Sequence, residues 1–192
     1  MYSILFDYIK KYTTKPLTEG QRTLMEKAFI PFKLRKKQYF LQAGNQCRHF
    51  AFITKGAMRQ YTVDDNGLEH IARLGIEEWW MGDRESYLTS SATKYNIDAW
   101  EDTEMLIITN DYMQEIMKIP AFNEVLRKLD DNNNIANQRR ITSAISLSAE
   151  MRYLELEDSY PQMIARFPQH IIASYLGITK DTLSRIKRNR LK

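Results

Sequence analysis

Cysteine is nearly absent from this sequence, which has only Cys47 among its 192 residues. One thiol excludes an internal disulfide, a four-thiolate iron–sulfur cluster and a zinc ribbon, because each needs several cysteines from the same chain. A membrane span needs ~18 uncharged residues, and no stretch approaches that; residues 1–15 place charges among their apolar side chains. These absences predict a cytoplasmic protein without a membrane partner.

Histidine is also scarce, and the chain lacks the motifs of common catalytic sites. The three histidines, His49, His70 and His170, are far apart in the sequence, so no pair of imidazoles shares one strand as a cupin-like metal site requires. There is no glycine-rich phosphate loop and no nucleophile elbow. The sequence therefore predicts neither an enzyme nor a bound metal, and no motif indicates haem.

Positive charge is present, but it is concentrated at one end of the chain. The formal net charge is +4, and residues 179–192 contain six lysines and arginines against one acid, so the remaining charges nearly balance. A localised basic segment attracts polyanions by releasing their counterions. The phosphate backbone of double-stranded DNA is therefore the leading candidate partner.

Residues 32–109 have the pattern of a β-domain. Six short β-prone runs are separated by turn signals, of which Asp65-Asn66-Gly67 is a strong hairpin signal. The runs are residues 38–41, 49–53, 58–63, 71–74, 95–100 and 105–108. Many short strands predict an antiparallel sandwich or barrel. A helix from Glu19, with a capping box of Thr18 and Gln21, should precede it and end at Pro31.

Helical patterns follow the β-prone region. Asn110 is a suitable N-cap for a short helix, and neither proline nor glycine interrupts residues 121–147. A helix of ~27 residues extends about 40 Å, longer than a small domain needs, so we expect it to connect two domains and to pair with a second copy of itself. A solvated connector helix is the alternative. A helix capped by Ser148 and three short helices complete the chain.

The segment 169–188 meets the steric requirements of a helix-turn-helix. Ala173 is small where two helices would cross, Gly177 suits a turn with left-handed backbone, and Thr179 can cap the second helix. Apolar residues recur at the spacing that buries one face of both helices: Ile172, Leu176, Ile178, Leu183 and Ile186. An ordinary surface helical hairpin is the alternative, but the joint match of turn, cap and basic face favours DNA binding.

The outer face of the second helix carries side chains of the types that reach bases and phosphates. Arginine can bind guanine through two hydrogen bonds, so we expect Arg185 to be the main reader of bases. The residues predicted to contact DNA are Thr179, Lys180, Asp181, Thr182, Ser184, Arg185, Lys187 and Arg188.

Nearly the whole chain resembles the CRP/FNR family of bacterial transcription regulators, on residues 34–45, 56–59, 79–83, 175–179 and 182–186. The resemblance implies an α+β fold. Residues 1–120 would form a cyclic-nucleotide-binding-like sensor domain, a double-stranded β-helix or jelly roll. Residues 121–147 would form the long dimerisation helix, and residues 148–192 an all-α helix-turn-helix domain. Many members follow the reading helix with a β-hairpin called the wing; this chain departs from that pattern, and we expect it to lack a full wing.

The same resemblance implies how the protein would work. It implies a homodimer in which an effector bound to the β-domain moves the two reading heads, with RNA polymerase as a further partner. Asp181, Ser184 and Arg185 match the positions where FNR-like members carry Glu, Ser and Arg for base contacts. Because Asp181 is shorter than the Glu of those members, the base step that this chain prefers is left open. In place of the wing, we expect the basic tail over residues 187–192 to contact phosphates.

The predicted effector pocket departs from the pattern of members that bind cyclic AMP. Those members hold the ribose with a Gly-Glu pair and the cyclic phosphate with an arginine. Here Gly82-Asp83 stands at the first site, Thr93 and Lys94 stand at the second, and no arginine occurs between residues 85 and 100. Because lysine is a point charge and threonine has none, a buried phosphate would lack its bidentate partner. We expect no cyclic AMP binding; any effector is an unidentified small molecule.

Two points remain open at this level. The tryptophans Trp79, Trp80 and Trp100 should be core residues, with an apolar effector pocket as the alternative. For the whole chain, the alternatives to a DNA-binding regulator are a jelly-roll interaction protein that does not bind DNA and a cupin-like metal enzyme.

Overall fold

The computed structural model describes residues 1–190. Two helices come first, α1 (Tyr2–Tyr12) and α2 (Glu19–Ala28). The predicted capping box is confirmed, since the Thr18 hydroxyl accepts from the Gln21 backbone and the Gln21 side chain accepts from the Thr18 N–H. Helix α1 was not predicted, because lysines and Asp7 interrupt its apolar pattern; its face of Leu5, Tyr8 and Ile9 packs into the main core.

Within residues 1–190, eight strands form two four-stranded antiparallel sheets. The strands are β1 (Ile30–Leu34), β2 (Tyr39–Leu41), β3 (His49–Lys55), β4 (Met58–Val63), β5 (Glu69–Gly75), β6 (Trp80–Met81), β7 (Asn96–Ala99) and β8 (Thr103–Thr109). The orders are β1-β8-β3-β6 and β2-β7-β4-β5, with helix α3 (Arg84–Thr89) between β6 and β7. The predicted α+β class and its β-sandwich are confirmed. Each of the six predicted strands begins and ends within two residues of the corresponding observed limit.

The prediction that the second helix ends at Pro31 is wrong. Helix α2 already ends at Ala28, and Pro31 lies inside β1. Strand β1 pairs only with β8, so it is an edge strand, where a residue without a backbone N–H is tolerated. The predicted hairpin joins β4 to β5; Gly67 has a φ of 78°, and the Asp64 carboxylate accepts from the Leu68 N–H at 2.9 Å.

The next two helices agree with the predictions except at a cap. Helix α4 spans Asn110–Ile116, and its N-cap is Thr109 rather than Asn110, because the Thr109 hydroxyl accepts from the Tyr112 N–H. Helix α5 spans Pro120–Ser146, with Pro120 in its first turn, where a missing N–H costs nothing. The long predicted helix is therefore confirmed to within one residue. None of the described helices is both long and apolar enough to cross a bilayer.

The C-terminal region consists of α6 (Ala149–Ser159), α7 (Pro161–Arg166), α8 (Gln169–Leu176) and α9 (Lys180–Asn189). Ser148 caps α6 as predicted. The core of this region is continuous with the second sheet, since Tyr61, Ile71 and Leu74 of β4 and β5 belong to the same buried cluster as Tyr153 and Ile171. The C-terminal domain therefore packs directly against the β-domain.

The tryptophans divide between the core and this domain boundary. Trp80 is buried in the main core, as expected. Trp79 and Trp100 are half-buried and contact rings of the C-terminal domain, Tyr160 at 5.3 Å and Phe167 at 6.0 Å between centroids. The expectation that all three lie in the core is thus wrong for two of them.

Candidate nucleic-acid interface

Helices α8 and α9 form the predicted helix-turn-helix. Gly177 ends α8 in the left-handed region with a φ of 66°, and the Ile178 N–H donates to the Ala173 carbonyl at 3.0 Å. The Thr179 hydroxyl caps α9 by accepting from the Thr182 N–H at 3.1 Å. Ala173 is 1% exposed, as a crossing point of two helices requires. The turn and the cap are therefore confirmed, and the burial of Ala173 agrees with a crossing point there.

The outer face of α9 brings most of the predicted DNA contacts together on one exposed surface. Its exposed members are Lys180, Asp181, Ser184, Arg185 and Arg188. Within residues 1–190, none of these five side chains takes part in an ion pair or a side-chain hydrogen bond. Thr182 and Lys187 are half-buried, and the Thr182 hydroxyl lies 2.9 Å from that of Thr179. We call the five exposed residues the reading face.

Residues 187–192 were expected to form a basic tail that contacts phosphates, but Arg190 is paired within the chain instead. Arg190 donates to Glu157 of α6 at 2.5 Å, and its guanidinium lies 5.8 Å from the centre of the Tyr153 ring. This hydrogen bond raises the pKa of Arg190. Its charge is thus held against α6 rather than presented with the reading face, and Lys192 lies outside the described residues.

Helix α8 is fastened to the edge of the second sheet. The Ser174 hydroxyl donates to the Glu69 carbonyl and accepts from the Ile71 N–H, each at 3.0 Å. Strand β5 is the last strand in its sheet, so these two backbone groups have no neighbouring strand on that side. The Ser174 hydroxyl thus bonds two backbone groups of the β5 edge that would otherwise face solvent or another chain.

A second attachment joins the end of α7 to the β-domain. Arg166 donates to Glu101 at 2.6 Å and to Glu77 at 2.5 Å, and the Trp100 indole donates to the Arg166 carbonyl at 3.2 Å. The bond to Glu101, followed by that to Glu77, raises the pKa of Arg166. Burial alone would raise the pKa of Glu77, but hydrogen bonds from Arg166 and from the Gly56 N–H lower it overall. We call these contacts the Arg166 clamp.

The predicted effector residues are only partly brought together. Asp83 is buried, caps α3 and accepts from the Thr93 hydroxyl at 2.6 Å. Gly82 lies against Phe50 so closely that a Cβ there would be 2.8 Å from its ring. Lys94 is exposed, and its ammonium lies 5.3 Å from the centre of the Tyr95 ring. Asp83 and Thr93 therefore satisfy each other, and Lys94 is not part of their cluster.

A larger opening runs along α5, from Gly82 of the β-domain to the place where α5, β5 and the C-terminal helices meet. This interdomain cleft has a volume of about 1960 Å³, and its lining includes Arg73, Asn133, Arg140 and Tyr175. Sequence reasoning did not single out Arg73; its only sequence signal is a charged residue within an otherwise apolar run of β5. The histidines remain apart in β3, β5 and α8, and residues 1–190 contain no group of three or more metal-ligand side chains close enough to hold an ion.

A β-sandwich linked by one long helix to a helix-turn-helix is the fold of CRP/FNR-type transcription regulators. The comparisons confirm this class at the level of the fold. Residues 31–119 match the family model described as "Cyclic nucleotide-binding domain". The sequence has no significant match among curated proteins.

Solved structures of such regulators superpose over most of the chain. FixK2 from Bradyrhizobium japonicum is 18% identical, covers 84% of this chain and 83% of its own, and has a TM-score of 0.67. A CooA mutant from Carboxydothermus hydrogenoformans is 18% identical, with 93% and 85% covered and a TM-score of 0.68. CLP of Xanthomonas campestris, described as c-di-GMP responsive, is 9% identical, with 91% and 92% covered and a TM-score of 0.68. The resemblance stated from the sequence is thereby confirmed for the fold.

Proposed function

We propose that this protein is a cytoplasmic, homodimeric transcription regulator of the CRP/FNR type that recognises specific sequences of double-stranded DNA through α9. The observation that carries the proposal is the reading face, a row of polar and charged side chains on one exposed helix that have no bonding partners within the described chain. A helix with such a face fits the major groove, where base edges present donors and acceptors.

Each side chain of this face has a role that follows from its chemistry. Arg185 would bind guanine through two hydrogen bonds, and Asp181 would accept from cytosine. Lys180 and Arg188 would contact phosphates and set the register of the helix on the duplex, and Ser184 would reach either a base or the backbone. Thr179, Thr182 and Lys187 lie at the margin of the face, where backbone contacts are expected.

Unbiased selection from a pool of random duplexes tests the DNA-binding proposal. We expect enrichment of an inverted repeat whose half-sites lie one or two helical turns apart, about 34–36 Å per turn, because a two-fold dimer presents two symmetric reading helices. Selection with Arg185→Ala should lose preference at one base pair of each half-site. A pool that shows no enrichment, with or without a metabolite extract, would contradict the proposal.

The dimer proposal depends on the exposed half of α5. Ile141 and Ile145 are one helical turn apart and are 62% and 82% exposed, and Ile135 is 47% exposed on the same helix. Burial of such side chains against a second copy would remove apolar surface from water at about 25 cal/mol per Å². Resemblance to CRP/FNR regulators is the support for this pairing, and also for RNA polymerase as a further partner.

A charged substitution on α5 tests the dimer. Ile145→Glu should give a monomer in analytical ultracentrifugation and weaken binding to an inverted repeat, because it places a carboxylate at the proposed seam. Ser146→Glu, at the exposed neighbouring position, adds the same charge and serves as the control. A dimer that persists in Ile145→Glu at the concentration where the wild type is dimeric would place the interface elsewhere.

The sensor domain is proposed not to bind cyclic AMP. The hydrogen bond between Asp83 and Thr93 supports this, since both groups that would face a bound nucleotide are already satisfied by each other. Isothermal titration calorimetry with cyclic AMP should show no binding at micromolar concentration, and a micromolar dissociation constant would overturn the proposal. No cofactor and no catalytic activity are proposed.

A further inference from the structure

We propose that the interdomain cleft binds a small oxyanion, the carboxylate or phosphate group of a metabolite, with the guanidinium of Arg73 as its anchor. The part of the cleft that Arg73 lines lies where β5, α5 and α8 meet, and the cleft extends along α5 to Gly82 and Arg84, beside the buried Asp83. The effect of the anion on DNA rests on the proposed function, whereas its binding does not.

An irregularity in β5 places Arg73 in the wall of the cleft. Along the β4–β5 pairing, Gln60 is opposite Arg73 while the next residue, Tyr61, is opposite Ile71, so Ala72 is an extra residue. Such a bulge redirects side chains relative to the regular alternation of a strand. The result is that Ala72 and Arg73 both line the cleft, while Ile71 and Leu74 on either side pack into the domain boundary.

The charge of Arg73 is poorly compensated. Arg73 is half-buried, and its hydrogen-bond partner is Asn133, whose Oδ1 lies 3.4 Å from Nη2. Among residues 1–190 no carboxylate lies within ion-pair distance of it. Burial lowers the pKa of this guanidinium, which reflects the cost of holding a positive charge away from water. A bound anion would supply the missing counter-charge.

Further donors line the same cleft. Arg140 of α5 donates to the Ala72 carbonyl at 2.6 Å and lies 4.6 Å from the centre of the Tyr175 ring. The Nε of Arg152 is buried, with no acceptor in the described residues. The Asn133 side-chain amide can turn its NH₂ toward an anion, because rotation about its terminal bond exchanges the oxygen and the nitrogen.

Most acids of the cleft are paired with other cations and do not neutralise these guanidiniums. Of the five that line it, three form ion pairs: Glu77 with Arg166, Glu78 with Lys11, and Asp130 with Arg84. The fourth, Glu155, accepts from the Ser143 hydroxyl and is not within ion-pair distance of a described arginine. The fifth, Asp158, is exposed. Arg73, Arg140 and Arg152 are therefore left to face the cleft without carboxylate partners.

The proposed site touches the elements that hold the reading head. Arg73 lies on β5, the strand whose Glu69 and Ile71 backbone groups bond to Ser174 of α8. Tyr175, the next residue of α8, contacts Arg140. An anion drawn between Arg73 and Arg140 would act on both sides of this attachment, which gives a physical route from ligand to helix-turn-helix.

Thermal unfolding of the full chain tests the binding. At constant ionic strength, inorganic phosphate or succinate should raise the Tm above its value in chloride, by about 3–6 °C at ten times the dissociation constant. The phosphate and succinate arms distinguish the two kinds of oxyanion. Arg73→Met should abolish the rise, whereas Arg127→Met, which removes an exposed arginine of α5 outside the cleft, should retain it.

The control measurement separates an anchor from a structural arginine. In chloride, Arg73→Met should itself raise the Tm, because it removes a half-buried charge that has no carboxylate partner among the described residues. A lowered Tm, a wild type that responds to neither anion, or a response that survives in Arg73→Met would overturn the proposal.

DNA binding then tests the coupling. The stabilising anion should change the affinity of the wild type for its selected duplex several-fold and leave that of Arg73→Met unchanged. An anion that binds without this change would overturn the regulatory part. Failure to bind any duplex would contradict the proposed function and leave the anion site standing.

Discussion

The two helices of the helix-turn-helix have opposite surroundings. Helix α8 is fastened to the β-domain by the Ser174 hydroxyl and packs through Ile171 and Ile172 into a core shared with β5. Helix α9 buries Leu183 and Ile186, whereas the side chains of its reading face are exposed and make no hydrogen bond or ion pair within residues 1–190. The two helices therefore have different roles. Helix α8 fixes the position of the helix-turn-helix, which we call the head (residues 169–189), and α9 stays available to an external partner.

The largest effect is expected where both helices meet. Ala173→Leu should destabilise the protein by about 1–3 kcal/mol, because the site is almost fully buried and cannot hold three more carbons without displacing a helix. Binding to the selected duplex should be lost, since α9 would leave its register. Chemical denaturation and fluorescence anisotropy measure the two effects. Gln169→Leu on the exposed side of α8 is the control, and equal behaviour of the two variants would contradict the crossing point.

A change confined to α9 should affect DNA and leave stability alone. Arg185→Ala should weaken binding to the selected duplex about 10- to 100-fold, which corresponds to the 1–3 kcal/mol of a bidentate base contact. Its unfolding free energy should match the wild type, because the side chain has no partner in the described residues. Arg127→Ala removes the same charge far from the reading face. If both variants lose affinity equally, Arg185 contributes charge alone and reads no base.

A change confined to α8 should have the opposite pattern. Ser174→Ala leaves the Ile71 N–H without its acceptor, so its hydrogen exchange should become about fivefold faster, for a loss of about 1 kcal/mol. Ser184→Ala, the same substitution on α9, should not alter exchange in β5. Native-state hydrogen exchange with residue resolution compares them. Unchanged protection at Ile71 in Ser174→Ala would mean that the α8 attachment does not depend on this hydroxyl.

The smallest effect concerns pH and the Arg166 clamp. Because the pKa of Glu77 is lowered in the folded protein, its contribution to stability is present above its ordinary value of 4.5 and is lost as the pH falls through the lowered value. The pair is partly exposed, so the contribution is less than about 1 kcal/mol. Glu77→Gln should therefore have a slightly lower Tm than the wild type at pH 7. The difference should shrink as the pH falls below 4.5 and close once Glu77 of the folded wild type is protonated; one that persists there would have another origin.

Local signals explain why so much of the head could be predicted. The capping hydroxyl of Thr179, the left-handed Gly177 and the small Ala173 each impose their conformation through neighbours within a few residues, and all three are found as predicted. The long helix is also as expected, because nothing between residues 121 and 146 interrupts it. Which of the reading-face residues touch bases stays a prediction.

The attachments of the head could not be predicted, because they join residues far apart in the sequence. Ser174 bonds to β5 from more than a hundred positions away, and Arg166 reaches Glu77 and Glu101. Nothing local to those residues indicates a partner. The bulge that brings Arg73 into the cleft is similar, since the run 71–74 has the alternation of an ordinary strand until its pairing with β4 is known.

The two candidate effector sites differ as α8 and α9 do, because the side chains of one are bonded within the protein and those of the other are not. Asp83 and Thr93 are buried and hydrogen-bonded to each other, so neither side chain is presented at the surface to a ligand. Arg73 is half-buried, has no carboxylate within ion-pair distance among residues 1–190, and faces an open cleft. The resemblance to known regulators directed attention to the first site, whereas unsatisfied charge directs it to the second.

The central claim is that the free face of α9 reads DNA sequence, and one ratio tests it most directly. The dissociation constant for random duplex is divided by that for the selected duplex, measured by competition at about 150 mM salt. A specific regulator should give a ratio of about 10³ or more, since base contacts add to a phosphate attraction that all duplexes share. A ratio near one would show that α9 attracts DNA only by charge and would contradict the account.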